Sequence, residues 1–406
     1  MGEAIGRQAG AEARDFSRPA PGEPRVAARP DTPAYNRGMQ SLDVLVKGRG
    51  AVGSSLALSL AAQGLSVGLA GAPEVARADD VRTYALNAAS VALLTDLKVW
   101  DGLPADAICP VYDMVVCGDA AGRLSFSAWQ QGVRELAVIV DAAALDAQLA
   151  AALRFSPHVR TVDTDAPAVL TALCEGRESA AREVLGVEFR PRPYGQRALA
   201  TRLVADRPHQ GIARQWFGAG GEVLALLPFE RPSPAHSYGL VWSCAEARAQ
   251  ALLAMDDADF ERELNTATAG AAGTLKLGGQ RATWPLALAR AGAVSGPGWA
   301  LLGDAAHLVH PLAGQGLNLG LGDVAALSAV IAAREPWRPL GDERLLRRYA
   351  RARLAPTLAM GELTDALQRL FAHASPAAQG LRNRGLNALD QFPPVKRWLT
   401  QRALGL

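Results

Sequence analysis

The chain has 406 residues, 49% of them apolar, with 42 Lys and Arg against 40 Asp and Glu and a net charge of +2. This length and apolar content suit a multi-lobed globular protein, and the near-balance of charge excludes a global field that would steer it to nucleic acid. Cys109, Cys117, Cys174 and Cys244 form no C-x-x-C pair and no metal-ligand spacing, so buried free thiols in a reducing, cytoplasmic setting are expected, without structural disulfides or a metal site.

Residues 1–38 are rich in Pro, Gly, Ala and Arg, carry six arginines against five acids, and lack apolar periodicity, which predicts a disordered tail. Met39 stands directly before the first strand pattern and is a candidate translation start. No apolar run reaches the roughly 20 residues needed to span a bilayer, and no signal-peptide layout is evident.

From residue 42 the pattern sharpens. LDVLV (42–46) predicts a short buried strand, GRGAVG a turn, SSLALSLAAQG a helix ending at Gly64, and SVGLA (66–70) the next strand. Gly48, Gly50 and Gly53 stand in G-x-G-x-x-G register between strand and helix. Glycines there permit a tight turn and close backbone approach, and the helix N-terminus offers free N–H groups and partial positive charge to a pyrophosphate. The acid that should close the second strand and hold an adenosine ribose is replaced by Gly71. Glu74, Asp79 and Asp80 are the nearby substitutes. No second fingerprint follows, which argues against a disulfide reductase with two such domains.

WALL (299–302) predicts another buried strand and sets Asp304 at its carboxyl end, where ligands of open α/β sheets gather and a carboxylate can accept sugar-like hydroxyls. Pro311 and the Gly314/Gly316 loop then lead into LNLGLGDVAALSAVIAA, a long helix whose first N–H groups lie near Gly316, Leu317 and Asn318 and favour negative charge before them. A pyrophosphate loop, a hydroxyl-binding Asp and an anion-accepting helix end together suit FAD, with its diphosphate, ribitol and reduced ring. His307 and His310 lack carboxylates at ligand spacing, so structural or flavin-adjacent roles are expected, and Asp323 reads as a helix residue. For Arg82, which follows Asp79 and Asp80, and for Arg182, a surface ion pair is the alternative to a site role. Trp242, Trp284 and Trp299 read as core residues of strands. There is no G-x-S-x-G elbow, no Ser/His/Asp spacing and no P-loop, which argues against hydrolysis.

Residues 331–406 hold thirteen Arg and Lys against six Asp and Glu. Helical stretches such as DERLLRRYARARL and PPVKRWLTQRAL join that charge to apolar faces; a solvated basic face is the commoner reading, and peripheral docking on an anionic membrane surface or an acidic partner is the alternative.

The combination of GRGAVG and LLGDAAHLVHPLAGQGLNLGLGD resembles the single-component flavoprotein aromatic hydroxylases, specifically the Ubi-type hydroxylases of ubiquinone biosynthesis. The resemblance extends through VRTYALNAASVALLTDLKVWDGL, PYGQRALATRL, PHQGIARQWF, VLALLPF, YGLVWS, WPL and LRRYARARLAP. It implies that Gly48, Gly50 and Gly53 face the pyrophosphate, that Arg82 lies near the flavin, that Asp304 binds ribitol, and that Pro311 and the Gly314, Gly316, Leu317, Asn318 segment line the isoalloxazine. The family's internal Asp-Gly motif, which touches flavin and nicotinamide nucleotide, stands here as Cys174-Glu175-Gly176, with Ser179 and Arg182 in matching places. About twenty residues replace the family's small β-meander before it.

The fold implied is α/β: a Rossmann-like, p-hydroxybenzoate-hydroxylase-like FAD-binding domain (41–107, 133–186 and 283–335) with an inserted, mostly β substrate domain (108–132 and 187–282) and a helical C-terminal region (336–406). The chemistry implied is hydroxylation of a hydrophobic phenolic, polyprenylated ring by O₂ through a C4a-hydroperoxyflavin, with NAD(P)H as reductant and no catalytic side chain named. The alternative reading is a flavin-binding or flavin-free scaffold subunit of a quinone-biosynthesis complex.

Overall fold

A computed structural model describes residues 42–72, 80–311, 314–373 and 375–404. The expectations for the tail, Met39, Glu74 and Asp79 lie outside these residues. The first strand, Leu42–Lys47, is an apolar run buried on both faces. Val44 and Val46 join the main core, and Leu45 packs with Ala70 on the other side.

This strand sits inside a six-stranded sheet whose order is Ser295–Gly296, Trp299–Leu301, Ala168–Leu173, Leu42–Lys47, Val67–Ala70 and Val159–Thr161. All neighbours are parallel except the first hairpin. After the helix Ala142–Arg154 the chain takes the far edge as Val159–Thr161 and returns to the centre as Ala168–Leu173. The short stretch before Cys174 therefore supplies two parallel strands in place of a meander.

The helices Ala51–Ala62 and Gln315–Ala332 pack on each other and on this sheet. Gln315–Ala332 is long and apolar enough to cross a membrane, yet more than half of it is buried inside the protein. Leu56, Leu60, Val324, Leu327 and Ile331 all lie in the main core, so its apolar length reflects packing on several sides.

A nine-stranded, mostly antiparallel sheet forms the second layer system. Arg192–Ala205 pairs with Ser237–Ala245 and Ala282–Arg290, and Val223–Phe229 and Ile212–Phe217 continue outward to Asp113–Cys117 and Arg123–Ser127. The helices Glu246–Ala254 and Asp257–Thr268 cover one face, enclosing Tyr238, Trp242 and Phe260. Trp242 is a core residue, but Trp284 is 38% exposed on Ala282–Arg290. Trp284 and Pro285 are exposed in succession where nothing among the described residues covers the strand, against the core reading. Ile108–Val111 joins a separate three-stranded sheet with Thr83–Leu86 and Ala137–Asp141.

The end of Ala282–Arg290 pairs with His307–Leu308, the short edge strand of the large sheet, through Ala289↔Leu308 and Arg290↔His307. At the other end the helix Pro376–Asp390 grips the outer hairpin. Asn383 Oδ1 accepts the backbone N–H groups of Ala120 and Gly122 at 3.2 and 2.9 Å, and Arg382 pairs with buried Asp119.

Candidate flavin site

A cavity of about 760 Å³ opens at the carboxyl ends of the parallel strands. Its wall contains Gly48, Gly50, Arg82, Glu175, Asp304, Pro311, Gly314, Gly316 and Leu317, nine of the eleven positions selected from the sequence. Gly53 lies behind the wall, where it packs against the Gly48 carbonyl and the Cys174 side chain. Asn318 also lies behind it. Its Oδ1 accepts from Asn87 N and Ser90 Oγ (3.0 and 2.8 Å), and its Nδ2 donates to the carbonyls of Ala85 and Gly314 (2.8 and 3.3 Å). This side chain ties the Gly314 corner to Thr83–Leu86 and leaves the facing of the cavity to its neighbours.

Two helix N-termini open onto this one cavity. Ala51–Ala62 starts after Gly50 and Gln315–Ala332 after Gly314, and neither has a side-chain cap or an acidic residue in its first turn. Uncapped N–H groups at two positive helix ends therefore border the same space, which suits an extended anionic ligand. Asp304 stands between them in the short turn Gly303–Ala305. It lines the cavity and, as a residue, remains open to solvent, although the surrounding walls desolvate its carboxyl group. Enclosure raises its pKa, and His307 and Arg177 oppose the rise.

Arg82 lines the cavity but is bound to Asp80, with Nε and Nη2 at 3.0 and 2.7 Å, and approaches Asp146 at 3.9 Å. Asp80 is thereby occupied as an arginine partner, and among the described residues no acid closes the second strand. Gly71 lies in the wall with φ of +110°, a left-handed backbone that favours glycine.

Glu175 Oε2 accepts from Ser179 Oγ and Ala181 N at 2.5 and 3.2 Å. It thus caps the helix Ala180–Val184 while also facing the cavity. Arg182 is buried and is not a surface ion pair, because its guanidinium donates to the carbonyls of Ala305 and Arg177 (both 2.9 Å) and lies 3.6 Å from the Phe189 ring centroid. It pins the turn that carries Asp304.

Asp323 is far more than a helix residue. It is buried at the joint of three elements, where Oδ2 accepts from Gly303 N (2.9 Å) and meets His307 Nε2 (2.7 Å), and Oδ1 accepts from Arg353 Nε (2.6 Å). Burial pushes its pKa upward, but His307, Arg353 and the Gly303 N–H hold it below the usual carboxylate range. His310, fully buried, approaches Gln196 Oε1 at 3.4 Å and meets Tyr194 edge-on. Burial pulls its pKa down to about 4.

Several wall residues escaped the sequence reading. Arg49 sits inside the glycine motif and Arg177 just beyond Glu175-Gly176, so proximity to a motif was their available signal. Thr164, Leu286 and Ala287 had none, since Leu286 and Ala287 come from the large sheet and close the cavity from the opposite side. The fold also gathers Cys109, His209 and Glu230, with Sγ to Nε2 at 3.9 Å and Nε2 to Oε1 at 3.5 Å. The Gly211 N–H donates to His209 Nδ1 at 3.0 Å. In the neutral ring Nε2 then carries the proton and faces the other two groups as a donor, the opposite of a metal ligand.

The FAD binding domain family matches residues 144–362 of this chain. The chain is 32% identical over 413 residues to the ubiquinone hydroxylase UbiL of Rhodospirillum rubrum, covering 95% of this chain and 94% of that protein. It is 30% identical over 405 residues to the 3-demethoxyubiquinol 3-hydroxylase of Escherichia coli, covering 90% and 99%. Among solved structures, PqsL of Pseudomonas aeruginosa, described as a probable FAD-dependent monooxygenase, superposes with a TM-score of 0.70 at 20% identity over 86% of this chain and 100% of that one. That last likeness shows the fold.

Proposed function

Because this chain belongs to the FAD-dependent hydroxylases of ubiquinone biosynthesis, we propose that it inserts one atom of O₂ into the ring of a hydrophobic phenolic precursor, with NAD(P)H as reductant. The overall balance is Ar–H, O₂, NAD(P)H and H⁺ giving Ar–OH, H₂O and NAD(P)⁺. The observation that carries the reading is the convergence of two uncapped helix N-termini and Asp304 on one cavity roofed by a second sheet. The chain's near-full overlap with relatives named as hydroxylases disfavours the scaffold alternative.

FAD, when bound, supplies the electron transfer and oxygen activation. The chain's own residues bind, orient and exclude water. The Gly48 to Val52 segment would hold the diphosphate on backbone N–H groups, and the Asp304 carboxylate would accept ribitol hydroxyls. The start of Gln315–Ala332 would favour negative charge on the ring system, with Pro311, Gly314, Gly316 and Leu317 alongside it. Leu286 and Ala287 form an apolar wall opposite, which would keep water from the reacting centre. Arg82 would sit at the ring's edge, oriented by Asp80. We take the parallel-sheet half as the FAD domain and the large sheet as the substrate domain, with the phenol held between them.

The test is a visible spectrum of the purified protein together with NAD(P)H oxidation under air, with and without a short-chain polyprenylphenol. Flavin absorbance, substrate-stimulated oxidation and a product heavier by one oxygen support the reading. A protein that cannot be reconstituted with FAD overturns it.

A further inference from the structure

A second cavity, of about 730 Å³, lies behind the flavin site. The two share no wall residue, because the turn Gly303–Leu308 separates them. One wall is the chain leaving the large sheet, Arg290 to Ser295, and the other is the first half of the helix Glu343–Ala372. The lining includes Arg290, Arg338, Arg344, Arg347, Arg348, Arg351 and Arg353, with Asp323 its one carboxylate.

Four of these arginines already hold carboxylates. Arg353 holds Asp323, Arg338 holds both Glu335 and Asp342, Arg348 holds Glu335, and Arg347 holds Glu343. Glu335 thus anchors two guanidinium groups from outside the cavity and fixes them in place. Arg290, Arg344 and Arg351 have no carboxylate partner among the described residues, so the cavity keeps three uncompensated positive charges. Its floor is built, since Asp323 and His307 are both buried and paired with each other. Three guanidinium groups without carboxylate partners lining one cavity leave a local positive potential that favours a ligand bringing negative charge.

We propose that this cavity is a binding site for a phosphate-bearing anion, separate from the flavin site. Guanidinium forks match phosphate oxygens two at a time, and the volume falls in the range that encloses a nucleotide-sized ligand. The same chemistry is offered by a soluble diphosphate and by a phospholipid headgroup. The backbone N–H of Gly303 is bound by the same Asp323 that holds Arg353, so an anion drawing Arg353 upward would reach the turn carrying Asp304.

The experiment uses FAD-saturated protein. Inorganic pyrophosphate and ADP are titrated calorimetrically, and vesicles with and without phosphatidylglycerol are tested by co-sedimentation, for the natural chain and for the double variant Arg344→Gln, Arg351→Gln. Both positions are exposed helix residues, and retained flavin absorbance and melting temperature check that the variant folds. One equivalent of pyrophosphate or ADP bound without flavin release, weakened at least tenfold in the variant, supports the site and a soluble ligand. Sedimentation with phosphatidylglycerol vesicles that the variant loses, without soluble binding, supports the site and a lipid headgroup. Binding unchanged in the variant, binding that displaces FAD, or no binding of either probe at 1 mM overturns the proposal.

Discussion

Asp323 holds Gly303 by its backbone N–H at 2.9 Å, one residue before the carboxylate that lines the candidate flavin cavity. The same Asp323 carries His307 and Arg353, so one buried side chain fixes the strand-end turn against two helices. Its removal leaves Arg353 largely buried without its partner. Asp323→Ala should destabilise the protein by about 3–5 kcal/mol, read by urea denaturation. A loss under 1 kcal/mol would mean that the network is dispensable.

Asp304 should act through cofactor affinity. Losing a charged hydrogen bond costs about 1.5–3 kcal/mol, so Asp304→Ala should weaken FAD binding roughly 10- to 150-fold, measured by flavin fluorescence. Because enclosure raises this carboxyl's pKa, the group protonates at a higher pH than an ordinary Asp. FAD affinity should therefore fall with acidification before free carboxylates titrate, and Asp304→Asn should abolish that dependence.

His310 predicts a pH slope in stability. Its folded pKa of about 4 lies below its ordinary value of 6.5, so the unfolded chain binds the extra proton first as pH drops. The stability that a neutral His310 contributes is complete above about pH 6.5 and is lost as pH falls towards 4, by up to about 3 kcal/mol. Denaturation midpoints of His310→Asn across that interval should decline less steeply than those of the natural chain.

The glycine turn should reject even a methyl group. A Cβ at Gly48 would stand 2.1 Å from the Cys174 carbonyl oxygen on a backbone with φ of +111°, and one at Gly53 would stand 2.0 Å from the Gly48 oxygen. Backbone atoms cannot swing aside, so Gly48→Ala and Gly53→Ala should each cost about 1–3 kcal/mol and yield protein depleted in FAD on purification. Normal flavin content in either variant would show that the turn can open.

Thiol labelling should be ordered. Burial lifts Cys109 and Cys244 to about 12 and Cys174 higher still, whereas Cys117 is half-buried and less raised. A disulfide reagent at pH 8 should modify Cys117 first and the other three at the unfolding rate. Rapid labelling of Cys109 would show that its pairing with His209 and Glu230 opens readily.

What could be read from the sequence followed distance along the chain. The strand, turn and helix from Leu42 to Ala62 are adjacent in sequence, and their apolar period and glycine spacing declare them without tertiary knowledge. Asp304 was legible for the same reason, being three residues beyond a buried strand. Asn318 was assigned to the cavity because its neighbours line it, yet its side chain turns to Asn87 and Ser90, more than 220 positions away. No local pattern encodes that choice. The Cys109, His209 and Glu230 group and the arginine cavity are assembled from separated segments, and Trp284 misled because strand-like residues do not say which stretch of a strand its neighbours cover.

The strand Ala282–Arg290 carries a last consequence. It is hydrogen-bonded on one side into the roof sheet and at its end to His307–Leu308 in the floor. Roof and floor are therefore stitched along one backbone ladder. A bulky guest entering from the side cannot make the two halves slip past each other without tearing that ladder, so room must come from flexing about it, as pages turn on a spine.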